Sequence, residues 1–184
     1  MEKDWTNIEY LLNGNVKQQQ SYNILMNANI LRILKEYSPI LVGTIPLEID
    51  IEKSDLDIIC EVHNFYEFEK LIKNSFQKYE NFNINKINEN QAIVANFFIK
   101  EFEIEIYGQA IPTKEQYGYR HMIIEDKILK LGGNKLKKEI INLKRNGMKT
   151  EPAFAKYLNL NGNPYEELLK LENMSNGDIE LLLS

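Results

Sequence analysis

The chain has a single cysteine, Cys60, in 184 residues, so no intrachain disulfide holds it together. No apolar run reaches the length of a membrane span, and Met1-Glu2-Lys3-Asp4-Trp5 lacks the basic-then-apolar form of a secretory signal. A cytoplasmic protein with no membrane contact is therefore expected. Excess positive charge is missing too: 22 Lys and Arg face 27 Asp and Glu, giving a formal net charge of -5 and a pI near 5.2. Such a field is a poor match for long duplex nucleic acid, whose binding rests on neutralising many phosphates. It leaves room for a nucleotide whose triphosphate arrives with its own metal ion. Internal repeats, long low-complexity tracts and Pro-, Gly- or Ser-rich linkers are all absent. What remains, 43% apolar and 27% charged residues, is the composition of a soluble globular domain with one buried core.

The spacing predicts a helix from about Gln18 to Tyr37, with Ile24, Ala28, Leu31 and Leu34 on one face. Ser38-Pro39 stops it, because proline disfavours helical geometry in the residue before it. Ile40-Leu41-Val42 reads as a short buried strand ending at Gly43, and residues 56–62 as a second strand in which Cys60 is a small buried hydrophobe. Helical periodicity returns over residues 65–79. A hairpin follows, with arms at residues 92–99 and 102–107 around a Lys100-Glu101 turn. In its second arm Phe102, Ile104 and Ile106 face one way and Glu103 and Glu105 the other.

Beyond Gly108 the chain turns helical. Helices are expected at residues 114–131 and 135–145, after an N-cap at Thr150, from Pro164 with Asn163 as N-cap, and over residues 178–183. The order of elements implies an α+β fold. Its core covers residues 1–112, and a helical C-terminal part, residues 113–184, packs on that core as one structural unit.

The chemistry concentrates in two places. Asp55 and Asp57 stand two apart in an apolar strand, so their side chains share one face with Cα atoms ~6.5–7 Å apart. Two carboxylates so placed repel each other unless a cation lies near them. Magnesium suits the pair, since it takes one or two carboxylates together with substrate phosphates. Two solvated aspartates at a strand edge are the plainer alternative. Upstream, Gly43 ends its strand and Thr44 offers a hydroxyl and a backbone N–H, a turn that can cradle phosphate.

Gly43-Thr44, ten intervening residues, then Asp55-Leu56-Asp57-Ile58 resembles the signature of the DNA polymerase beta-like nucleotidyltransferase superfamily. Val42 and Ile58 fit the apolar positions of that signature. The resemblance implies a small mixed sheet flanked by helices. It also implies a third carboxylate on a later strand, for which Glu105 is the candidate and Glu103 the alternative. Leu41-Val42-Gly43-Thr44-Ile45-Pro46, Ile106-Tyr107-Gly108-Gln109, Tyr119-Arg120-His121-Met122 and Lys149-Thr150-Glu151-Pro152-Ala153-Phe154 further resemble a small bacterial domain-of-unknown-function family grouped with those enzymes. Three features depart from the pattern. Thr44 replaces Ser or Gly, no arginine follows the turn in Ile45-Pro46-Leu47-Glu48, and the third carboxylate is Glu in place of Asp.

The resemblance implies a nucleotidyltransferase. With Mg2+ or Mn2+, it would move a nucleoside monophosphate from a nucleoside triphosphate to an unidentified small-molecule or protein hydroxyl, releasing pyrophosphate. Asp55, Asp57 and Glu105 are the expected metal ligands and catalytic groups, and Gly43 and Thr44 the expected phosphate contacts. Lys149 and Arg120 are further candidates for nucleotide contact. Each has a plain structural reading beside that one: Lys149 as a helix entry, Arg120 as helix-surface charge next to a packed His121. Two other functions fit the same fold: a non-catalytic nucleotide- or protein-binding module, and a toxin–antitoxin type component.

Overall fold

A computed structural model describes residues 3–87 and 91–183. These divide into two units. One comprises residues up to Glu48 together with Ser54–Tyr119, and the other Ile49–Lys53 together with residues from Arg120 onward.

In the first unit, α1 (Val16–Asn27) starts at a reciprocal cap: the Asn15 side chain accepts from the Gln18 N–H, and the Gln18 side chain accepts from the Asn15 N–H. The expected continuous helix to Tyr37 is broken. Asn29 takes a left-handed conformation at φ 55°, which asparagine tolerates better than most residues. That reset delivers α2 (Ile30–Ile33) and a 3-10 turn over Lys35–Tyr37, and sends Ile30 and Leu34 into the core. Ser38, also left-handed, ends the turn before Pro39.

Strands β1 (Ile40–Val42), β2 (Leu56–Glu61), β3 (Glu80–Ile87), β4 (Ala92–Ile99) and β5 (Phe102–Gln109) form one sheet in the order β1-β2-β5-β4-β3. The β2–β5 pair is parallel and the other pairs antiparallel, so the sheet is mixed as expected. β3 was not foreseen. Its ENFNINKI sequence is rich in asparagine, a poor strand former, and its place at the sheet edge asks for little burial. The part of the chain at residues 88–90 lies outside the described residues.

Helix α3 (Phe65–Phe76), capped by the Asn64 side chain, packs with α1 on one side of the sheet. There Phe68, Ile72 and Phe76 join Ile24 and Leu25 against Leu56, Ile58, Cys60, Ile104, Ile106 and Phe97. The Phe76 and Phe97 rings stack with centroids 5.0 Å apart. Gly108 lets α3 approach this closely: a Cβ there would meet the Phe68 ring at 2.6 Å and Val62 at 2.8 Å. Burial pushes the Cys60 thiol up, in keeping with the expected inert, packed role. All of this apolar packing lies on one face of the sheet; the other carries Asp57, Glu103, Glu105 and Asn96 together with Val42, Ile59 and Phe98.

The expected helices at 114–131 and 135–145 are the two helical stretches of α4 (Tyr117–Arg145), separated at Gly133, whose φ of 62° and ψ of -161° are not helical. The second unit holds α4 from Arg120 onward, α5 (Thr150–Tyr157), α6 (Pro164–Lys170) and α7 (Asn176–Leu183). Leu136, Ile140, Phe154, Leu168 and Ile179 are buried there. Asn163 caps α6 as expected, its side chain accepting from the Tyr165 N–H. The N-cap of α5 is Lys149, not Thr150. Thr150 is the first helical residue, and no side chain caps this helix start. Among the described residues, no helix is long and apolar enough to cross a membrane.

Candidate active site

Two strand pairings assemble the site. Val42 lies opposite Asp57 in the antiparallel β1–β2 pair, and Asp57 lies beside Glu105 in the parallel β2–β5 pair. Adjacent strands are ~4.8 Å apart, so these two carboxylates are cross-strand neighbours on one face. Glu103 is on the same face, two residues nearer the hairpin turn, while Asp55 immediately precedes β2. Register therefore pairs Glu105, and not Glu103, with Asp57.

Gly43 closes the other side of Asp57. Its φ of 82° is one that L side chains rarely adopt, and a Cβ there would lie 2.3 Å from Asp57 Oδ2. The missing side chain thus serves both the turn and the aspartate. The Thr44 hydroxyl donates to the Ser54 hydroxyl at 3.1 Å, tying the glycine turn to the residue before Asp55. Behind the turn, the buried Gln18 Nε2–H donates to the Ile45 carbonyl at 2.9 Å, and Lys3 donates to the Pro46 carbonyl at 3.2 Å. One glutamine thus both caps α1 and anchors the turn. The asparagine–glutamine pair three residues apart is a capping signature, but nothing local announces the second bond.

Asn96 is the other residue that sequence reasoning missed. It faces Glu105 across the β4–β5 pair, and its Nδ2–H donates to Glu105 Oε2 at 3.2 Å. The two-residue hairpin turn, once its register is counted back, places 96 opposite 105. Burial pushes the Glu105 carboxyl above the usual range. The Asn96 bond pulls it down, and the negative charges of Asp55 and Glu103 push it up.

Such a carboxyl, crowded by like charges, is what a divalent cation relieves, and the oxygen-only donor set suits Mg2+. Among the described residues no three His, Cys, Asp or Glu side chains converge into a metal-holding cluster. Asp57 and Glu105, neighbours on one sheet face, are the oxygen donors that could hold such an ion there.

The remaining candidates belong to the second unit. Arg120 donates from Nε and Nη2 to both oxygens of Glu172, at 3.2 and 2.6 Å, and holds that carboxyl below its usual range. His121 is buried and its Nε2 donates to the Tyr165 carbonyl at 2.9 Å. Lys149 is exposed at the start of α5. Near His121 is a buried polar group that the sequence did not reveal. Lys144 donates to the Ile49 carbonyl at 2.7 Å, and Glu125 is buried with Oε1 unbonded. Burial and the neighbouring Glu151 hold the Glu125 carboxyl well above the usual range, with Lys144 opposing them.

Solved structures share this architecture. A cytoplasmic RNA terminal U-transferase aligns at a TM-score of 0.52 with 13% identity, over 84% of this chain and 45% of its own. The Cid1 poly(U) polymerase with MgGTP bound aligns at 0.54 with 12% identity, over 82% and 47%. A protein of the GLD-2/RNP-8 complex aligns at 0.53 with 12% identity, over 82% and 57%. At such identities the likeness defines the fold: this is a nucleotidyltransferase fold, and the chain spans about half the length of the structures it matches. By its sequence the chain belongs to the family described as domain of unknown function DUF4269, whose model matches residues 23–171. No curated protein matches it.

Proposed function

We propose that the protein is a metal-dependent nucleotidyltransferase that moves a nucleoside monophosphate from a nucleoside triphosphate to a hydroxyl acceptor. The observation that carries this reading is the pairing of Asp57 with Glu105 on one sheet face, with Gly43 held against the Asp57 carboxylate. Asp55, Asp57 and Glu105 would hold Mg2+ or Mn2+, which when bound supplies polarisation of the attacking hydroxyl and neutralises charge on the phosphates. Gly43 admits the triphosphate close to the backbone, and Thr44, fixed by Ser54, presents its N–H to it. Glu105, steadied at Oε2 by Asn96, completes the carboxylate set or takes the acceptor's proton at Oε1. The chain contributes mainly position and charge, as phosphoryl transfer requires. The MgGTP complex of the Cid1 polymerase supports a magnesium nucleotide as the donor here.

Calorimetric titration of each nucleoside triphosphate, with and without Mg2+ or Mn2+, tests the reading. Metal-dependent binding of one nucleotide that Asp57→Asn abolishes is the expected result. A second reading of the same fold is a non-catalytic nucleotide-binding module. It predicts binding without pyrophosphate release.

A further inference from the structure

The segment from Lys3 to Asn13 holds the chain just after Gly43-Thr44, and its own sequence stiffens it. Asp4 Oδ1 accepts from the Thr6 N–H at 3.0 Å and from the Thr6 hydroxyl at 2.7 Å. Asn7 Oδ1 accepts from the Glu9 N–H at 2.8 Å, at the start of a 3-10 helix over Glu9–Asn13. With the chain bent in this way, Trp5, Ile8 and Leu11 are buried, and Tyr10 meets Trp5 edge-on with ring centroids 5.5 Å apart. The Lys3 ammonium lies over both rings, 3.8 Å from the Tyr10 centroid and 4.3 Å from that of Trp5. Two ring faces at this range favour a cation over a neutral donor. Tyr10 Oη is buried with no hydrogen-bond partner among the described residues, and burial pushes the phenol up, so the ring beneath Lys3 stays neutral.

From this seat Lys3 Nζ donates to the Pro46 carbonyl at 3.2 Å, a charge-assisted bond and so one of the stronger kind. Ile45–Glu48 is a β-turn: the Glu48 N–H donates to the Ile45 carbonyl at 3.1 Å, and Pro46 takes the second position. Gln18 Nε2 bonds the Ile45 carbonyl at 2.9 Å but lies 3.5 Å from that of Pro46, so the carbonyl of this buried proline depends mainly on the lysine. Only Ile45 separates Pro46 from Thr44, and its side chain is fully buried, so a shift of the turn is passed on to Thr44. We propose that Lys3 is a positioning residue for the triphosphate: its ammonium, seated on Trp5 and Tyr10, fixes the Ile45–Glu48 turn and thereby the Thr44 N–H that meets the phosphates. This rests on the nucleotidyl-transfer reading.

The test uses the full chain with Mg2+ and whichever nucleoside triphosphate binds the wild type. Lys3→Met keeps the apolar stem but removes cation and donor, and should raise the triphosphate Kd by ~10-fold. Lys3→Arg, whose guanidinium also stacks on aromatic rings and donates, should bind within ~3-fold of wild type. Gly108→Ala, destabilised through Phe68 and Val62, should bind as the wild type does once folded. Should Lys3→Met not fold, Lys3→Gln, a neutral donor on a shorter stem, takes its place with a loss of at least ~3-fold. Amide exchange without nucleotide is the second readout: the Thr44 and Leu47 N–H groups should exchange faster in the neutral variant, while those along β4 do not. Wild-type affinity in the neutral variant, a loss with Thr44 exchange unchanged, failure of arginine to restore binding, or an equal loss in Gly108→Ala each overturns the positioning role while leaving nucleotidyl transfer standing. Failure of every nucleotide to bind the wild type overturns the transfer reading itself, and this inference with it.

Discussion

Replacing Gly43 with alanine separates two costs that the structure makes calculable. The first is conformational, since an alanine at φ 82° sits in the left-handed region at a cost of ~1–2 kcal/mol. The second is local: the new methyl would lie 2.3 Å from Asp57 Oδ2, whereas ordinary contact begins at 3.4 Å. The carboxylate must therefore retreat by ~1 Å, a displacement that can cost ~100-fold in a reaction governed by positioning. Gly147→Ala is the matched control, because Gly147 has φ 89° and nothing within 4 Å of the added Cβ. Thermal unfolding should show similar losses for both variants, ~2–4 °C per kcal/mol in a chain of this size. Only Gly43→Ala should lose pyrophosphate release, by ~100-fold, together with metal-dependent nucleotide binding. Equal activity losses in the two folded variants would refute the role given to the Gly43–Asp57 contact.

Three further outcomes are expected. Gln18→Ala removes the reciprocal cap and the bond to Ile45, and should cost ~2–3 kcal/mol in urea unfolding; a loss under ~0.5 kcal/mol would contradict the anchoring role. Gly108→Ala forces a methyl into Phe68 and Val62 and should destabilise by ~1–3 kcal/mol, while nucleotide affinity in the folded fraction stays unchanged. Glu125 binds its proton more tightly folded than unfolded, so its contribution is complete below the unfolded carboxyl pKa and is lost as pH rises toward the raised folded value. Glu125→Gln should therefore match wild type near pH 4 and exceed its stability by ~1 kcal/mol at pH 8, and a pH-independent difference would exclude this cause.

The parts of the fold visible in the sequence were those with strong period or strong punctuation. Alternation exposed β5 and the opposite facing of Glu103 and Glu105, and Pro39 marked the boundary before β1. Asn29 hid a helix break, because a residue in left-handed conformation leaves the apolar spacing on either side almost intact. Edge strand β3 was hidden by its asparagines, whose weak propensity is offset by pairing with β4. Within the site, Asp55, Asp57, Gly43 and Thr44 are close in sequence, so a motif captures them. Asn96 and Gln18 were invisible because each acts through a partner far along the chain, Glu105 in one case and Ile45 in the other. The Glu125 group escaped for the same reason: no local pattern distinguishes a buried glutamate from a surface one on an amphipathic helix.

The parallel pairing of β2 with β5 also bears on how the protein folds. Asp57 and Glu105 are about fifty residues apart in the chain, and closing that loop carries an entropic cost that neither strand can meet alone. The β4–β5 hairpin and α3 need only local contacts, so they can form early and present β5 with its register already fixed. Strand β2, which carries β1 on its other edge, is expected to dock on β5 after that. On that order of events the two carboxylates would become neighbours only when β2 docks. Amide exchange during refolding should show protection along β4 and in the antiparallel contacts of β5 before it appears at Leu56–Glu61.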